Sequence, residues 1–373
     1  MRTGVRKFVS LCWMLAACST TRHDVREEEP RTTSGAIALA NLDAEIAREA
    51  DEPGVEDLLL LRARFLADDT ALDRAVTLAE SRVGDRSSLL RRARARSAVH
   101  RFQDALKDVE SARHSGASPT EVLSLRASIL VALGRAEEVV PALEDAVTRR
   151  PTNALRTGLA AAYASLGRFT EADRAYAEAL AGLDTTSPFP SAWIQFARGT
   201  MWAEQAGEPA RGEQLLARAV SELPEFVTAN VHLAELEAAR GDPGAAMARL
   251  ERVTARSRDP EALAALGVLH AHAGEPVRGG CEILLARERF ESLLERHPQA
   301  FADHAAEFYL GPGEDPERAW ILAQANLAVR VTERSMTLAL RAARATRRQD
   351  EACALLARLR NRSEPFSASR CLE

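Results

Sequence analysis

From about residue 55 to residue 363 the chain repeats a helix–turn–helix pattern with a period of roughly 34 residues. A unit of that size cannot bury its own apolar face, so copies in phase must stack on one another. The clearest copy runs from Asn153 to Asp184. Its first helix carries Leu159, Ala160 and Tyr163, Gly167-Arg168-Phe169 turns the chain, and its second helix carries Ala172, Tyr176, Ala179 and Leu180. Small residues (Ala160, Ala172, Ala179) stand where two helices cross closely. Large ones (Tyr163, Phe169, Tyr176) fill the wedge between neighbouring pairs. Gly167 supplies the left-handed residue that ends the first helix. Aromatic residues are only 5% of the chain, which suits packed helices better than a β-sandwich.

The neighbouring segments repeat the pattern with losses: Ala127, Leu130, Gly134, Leu143, Ala146 and Pro151 before it, and Phe196, Gly207, Leu216, Ala219 and Pro224 after it. Leu233, Ala234, Gly241, Ala246, Leu250 and Val253 form the next copy, and Leu263, Leu266, Gly267, Gly274 and Pro276 open another. In that last copy Gly279-Gly280 reads as an interruption of the second helix. Weaker copies extend the array in both directions, to about nine pairs. Thr186-Ser187-Pro188 and Gly311-Pro312-Gly313 mark breaks between arcs, too short to be independent linkers. This pattern closely resembles the tetratricopeptide repeat. The resemblance implies an all-α, right-handed α-solenoid over residues 55–363, preceded by a helical lead-in at 36–54.

The N-terminus carries a second signal. Arg2, Arg6 and Lys7 precede the apolar run Phe8 to Ala17. That run is too short to span a bilayer, which needs roughly 20 residues. A basic segment, a short apolar segment and small residues before a cleavage point define a secretory signal. Leu15-Ala16-Ala17-Cys18 resembles the lipobox of bacterial lipoproteins, which implies cleavage between Ala17 and Cys18 and acylation of Cys18. Two or more acyl chains hold a protein stably to one leaflet. Ser19 at the following position leans towards the outer membrane, facing the periplasm. Residues 1–17 are thus expected to be a signal peptide. Residues 18–35, with the charge run Glu27-Glu28-Glu29, form a polar tether that cannot bury a core.

Five cysteines are present. Cys12 leaves with the signal and Cys18 is lipidated. In an oxidising compartment Cys353 and Cys371 are positioned to latch the tail (residues 364–373) onto the last helix, or to remain as thiols. Cys281 reads as a small buried residue in an apolar helix. No cysteine–histidine spacing suggests a metal site. His270 and His272 point to different faces of one helix. His297 and His304 read as surface or helix-end positions. No nucleophile motif or phosphate-binding loop appears, so neither catalysis nor a cofactor is expected. Arginines such as Arg91-Arg92 and Arg347-Arg348 alternate with carboxylates, and the net charge is −5, which argues against nucleic acid as a partner.

A solenoid offers a concave surface instead. In tetratricopeptide proteins that surface is lined from fixed positions of each first helix. Carried over in phase, these are Ser124, Ser128, Val131 and Ala132; Thr157, Ala161, Ala164 and Ser165; Ala197, Met201, Glu204 and Gln205; and Val231, Glu235, Ala238 and Ala239. Met201, Trp193 and Trp202 suggest an apolar anchor, with core packing expected for at least one tryptophan. The wall reads as small-residue lined with a few acidic points, and it lacks the basic clamp by which some relatives hold a terminal carboxylate. The sequence therefore predicts a lipid-anchored scaffold that binds a protein partner in its groove. A non-catalytic platform in an envelope enzyme complex and a structural spacer remain as alternatives.

Overall fold

In the computed structural model, residues 32–82 and 84–363 are described. The signal residues, Ala17, Cys18, the Glu27-Glu28-Glu29 run and Cys371 lie outside them, and with Cys371 so does its pairing to Cys353. All regular structure among the described residues is helical. A lead-in helix, α1 (Gly35–Arg48), precedes nine antiparallel pairs. The first three pairs are α2 (Val55–Leu66) with α3 (Asp69–Ser81), α4 (Arg86–Ala98) with α5 (Phe102–His114), and α6 (Pro119–Ala132) with α7 (Val140–Arg149). The next three are α8 (Asn153–Ser165) with α9 (Phe169–Ala181), α10 (Pro188–Thr200) with α11 (Pro209–Glu222), and α12 (Val227–Ala239) with α13 (Pro243–Thr254). The last three are α14 (Pro260–His272) with α15 (Pro276–Arg296), α16 (Pro298–Leu310) with α17 (Pro316–Val329), and α18 (Glu333–Ala345) with α19 (Gln349–Ser363).

Helix boundaries follow the local chemistry. Seven of the last ten helices, α10, α11 and α13 to α17, open on proline, which lacks the amide hydrogen that a first turn leaves unpaired. Asp68, Asp85, Asp242, Asp259 and Asp315 cap the next turn through their carboxylates. Gly134 and Gly167 end α6 and α8 at φ +76° and +72°, the left-handed region where a side chain is strained. Within pairs, alanines at 0% exposure (Ala75, Ala93, Ala127, Ala160, Ala172, Ala219, Ala246) let the helices approach closely.

Three expectations need correction. The second helix of the seventh pair runs unbroken from Pro276 to Arg296 through Gly279-Gly280. A Cβ on Gly279 would strike the Gly267 carbonyl, so the glycine is there to let α15 press against α14. Cys281, on the outer side of that long helix, is exposed rather than buried. The expected breaks at 186–188 and 311–313 are turns inside one continuous stack.

The stack curves enough to meet itself. The turn after α2 docks on the loop before α14, where Ser257 Oγ donates to the Leu66 carbonyl at 3.2 Å. The turn after α4 docks on the first turn of α16, where His100 Nδ1 bonds to the Gln299 carbonyl at 3.0 Å. The turn after α6 brings Gly134 against the Val331 carbonyl before α18. Pair one thus meets pair seven, two meets eight and three meets nine, so one superhelical turn takes six pairs. Phe65, 1% exposed, stitches the closure, with its ring 5.1 Å from Phe189 and 4.7 Å from Phe226. Arg296 and His297 add ion pairs to Asp69 and Asp73.

Candidate functional site: the inner wall of the superhelix

The first helix of each pair faces inward, so the wall is read along α2, α4, α6 and so on to α18. Over α6 and α8 it is small and polar. Ser128 and Ser165 are exposed, and Ser124, Val131, Thr157 and Ala161 are half-buried. Ala164, expected beside them, is 7% exposed and belongs to the core between α8 and α9.

From α10 onward the wall changes character. Met201 is not a groove residue: it is 0% exposed and packs with Tyr176 and Ile194. The physical reason is a π-helical turn at Met201–Gln205, which shifts the register at the end of α10 and leaves Glu204 and Gln205 exposed. Ala197 is half-buried above that core. Trp202 is also in the core, with its indole N–H donating to Asp173 at 2.7 Å. Trp193 remains on the inner side, with the Arg64 guanidinium 4.8 Å above its ring. Val231, 3% exposed, is in the α12–α13 core. Its neighbour His232 faces the wall instead, 2.8 Å from Glu204, and Glu235 is exposed beside it.

The wall continues through residues that the sequence reading left out. His304 pairs with Glu261 through Nδ1, and its Nε2 lies 3.8 Å from Asp303. Asp303 in turn pairs with Arg330, and Arg334 reaches Glu307 at 3.0 Å. Burial disfavours a charge on His304, but Asp303 and Glu261 outweigh it and raise the imidazole pKa to about 10. Burial also works against the Asp303 carboxylate, yet His304 and Arg330 pull it down to about 2. His232 is raised by Glu204 against its own burial, and Glu235 is raised by burial and by the charge on Glu261. His304 was expected at the surface; it is instead the hub of this ladder. Continuing the same phase into α14 would have reached Ala264 and Val268, whereas Glu261 and Arg334, the second residues of α14 and α18, stand at a position not assigned from the sequence. His232 and His304 lie off that phase, and nothing local in the sequence marks them.

Between α12, α14 and α16 the wall opens into a groove of about 390 Å³. Ala264, Ala265, Val268 and Phe308 form its floor, and Glu235, Glu261, His304 and Glu307 its rim. An apolar floor with a charged rim can seat side chains of a peptide segment while pairing with its polar groups. His270 and His272 do point apart: His270 is buried against Glu282 at 2.7 Å, while His272 is exposed. No helix among the described residues is long and apolar enough to cross a membrane.

Residues 203–269, from the π-helical turn to α14, match the family model of the tetratricopeptide repeat. No curated protein matches the chain in sequence. Among solved structures, the chain is similar to the Cut9–Hcn1 hetero-tetramer of APC/C at 15% identity and TM-score 0.49, covering 91% of this chain and 67% of that one. A tetratricopeptide repeat protein from Parabacteroides merdae aligns at 16% identity and TM-score 0.42, over 70% and 99% of the two chains. YrrB, described as a TPR protein with an unusual peptide-binding site, aligns at 18% identity and TM-score 0.30, over 50% and 95%.

Proposed function

We propose that this chain, a tetratricopeptide repeat protein, is an adaptor that seats a segment of a protein partner on its inner wall while acyl chains on Cys18 hold it to a membrane. The observation that carries the first half is the groove of α12, α14 and α16, with its Ala264–Val268 floor and its rim of Glu235, Glu261 and Glu307. Stacked repeats of this family work by display of such surfaces. The lipobox-like Leu15 to Cys18 supports the second half, and Ser19 supports an outer-membrane, periplasm-facing placement. Tethering raises the concentration of the groove for partners on the same surface.

The test is cross-linking in cells from a photo-reactive residue at Ala265, in the wild type and in Val268→Arg and Cys18→Ala backgrounds. One dominant protein adduct is expected, reduced at least tenfold by Val268→Arg at unchanged helix content. Cys18→Ala should move the protein out of the membrane fraction and leave its precursor uncut. An adduct pattern indifferent to Val268→Arg would reject the groove. A Cys18→Ala variant that is still processed and membrane-bound would reject the anchor.

A further inference from the structure

A second cavity, of about 620 Å³, lies where the first superhelical turn faces the second, between the α2–α3 turn and the helices α14, α15 and α16. Its size is that of a small-molecule site. Most charges on its lining are already satisfied. Asp68 pairs with Arg62 at 2.7 Å, Asp69 with Arg296 at 2.6 Å, and Glu261 with His304. Asp259 caps α14 by accepting from the Ala262 amide at 2.7 Å. Three guanidiniums on the same lining, Arg64, Arg258 and Arg289, make no salt bridge among the described residues; Asp259 and Asp69 act on Arg289 through space, and Glu288 shares the lining.

Arg289 is the most telling. Its Nε and Nη1 are shut away from solvent without any hydrogen-bond partner. Burial lowers its pKa, and the like charge of Arg258 lowers it further. Arg64 is likewise lowered by burial. Most other shifted arginines among the described residues, Arg62, Arg92, Arg96 and Arg296 included, are raised by a carboxylate close by. Arg258 and Arg289 repel each other across one cavity, and although Asp259 and Asp69 attract Arg289, neither fills its two buried donors, which an anion joining the pair would do.

We infer that this cavity binds a compact oxyanion of two or more charges, held by Arg258 and Arg289 from one side and Arg64 from the other. Guanidinium forks match phosphate and carboxylate oxygens in paired hydrogen bonds, and a rotation of Arg289 towards such a ligand would satisfy both of its orphaned donors. Bound there, the ligand would bridge the α2–α3 turn to α14 and α15, and so would clamp the two superhelical turns together.

The test is calorimetric titration and thermal melting of the full chain with inorganic pyrophosphate and, separately, citrate, at fixed ionic strength. At least one should bind and raise the melting temperature, and the stronger of the two identifies phosphate or carboxylate as the natural group. Arg258→Gln and Arg289→Gln should each weaken that binding tenfold or more, while Arg174→Gln, on the outer surface of α9, leaves it unchanged. Arg289→Met should raise the melting temperature of the ligand-free protein and abolish the ligand-induced rise. Absence of binding by both anions, or binding equal in the Arg289→Gln and Arg174→Gln variants, would overturn the site.

Discussion

Gly134 and Gly167 close equivalent turns one repeat apart, with nearly the same backbone angle, yet they stand in different surroundings. A side chain on Gly134 would run into the Val331 carbonyl of the ninth pair; one on Gly167 would meet nothing. The same contrast separates pairs one to three, whose turns rest on pairs seven to nine, from pairs four to six, whose corresponding edge faces solvent. Local sequence makes the turn in both cases. Whether a turn is also a joint depends on the curvature accumulated over six repeats. The molecule is therefore a closed superhelix along part of its length and an open one along the rest, and its unusual chemistry gathers where it closes.

The strongest way to break this contrast is Phe65→Ala. Phe65 joins α2 to α10 and α12, and removing a fully buried phenyl ring costs about 3–5 kcal/mol. Because the lost contacts lie between turns rather than within a pair, the first pair should detach before the rest unfolds. In urea, Trp193 emission, reporting on the Arg64 side chain above it, should shift to the red at a lower concentration than the loss of helical signal. Coincident transitions would mean that the closure is not a separable joint.

A sharper comparison exchanges each glycine for alanine. Both variants carry the strain of a left-handed alanine, about 1–2 kcal/mol. Gly134→Ala must also displace the Val331 backbone, so it should cost roughly 1–3 kcal/mol more by denaturant titration, in the range of other overpacking changes. Equal losses at the two positions would show that the third pair does not rest on the ninth in solution.

The repeat was legible because its determinants are local: alanines at helix crossings, glycine at φ near +75°, and proline or aspartate at helix starts. The closure was not. Phe65, Phe189 and Phe226 hold no place in the repeat pattern that marks them as partners, and no period links residue 65 to residue 226. The groove was legible in part. Glu204 and Glu235 are exposed on the wall, whereas Met201, Ala164 and Val231 are buried. The π-helical turn defeats a fixed phase at Met201, since it adds a residue to one turn without any sequence mark that distinguishes it from α-helix. His304 was misjudged for another reason. Asp303 is its chain neighbour, but Glu261 comes from α14, and only stacking brings that carboxylate to the imidazole.

The smallest expected effect is a pH dependence confined to a docked turn. His100, bonded to the Gln299 carbonyl of the eighth pair, has its pKa lowered to about 4, first by burial and then by the nearby Arg330 charge. An unfolded histidine titrates near 6.5. Between those values the unfolded chain binds a proton that the folded joint refuses. The joint's contribution is therefore complete above about pH 6.5 and is lost as the pH falls towards 4. His304 has the opposite sign. Its folded pKa of about 10 lies above the unfolded value, so its contribution is intact below pH 6.5 and fades as the pH rises towards 10. For His100, amide exchange in the turns after α4 and α8 compares a docked turn with an open one. Acidification from pH 7 to 4.5 should speed exchange around His100 relative to Gly167, once intrinsic rates are corrected. His100→Gln, which keeps a hydrogen-bond donor and cannot titrate, should remove the difference. If the docked and the open turns respond alike in the wild type, His100 is protonated freely in the folded protein and the second pair is not held against the eighth.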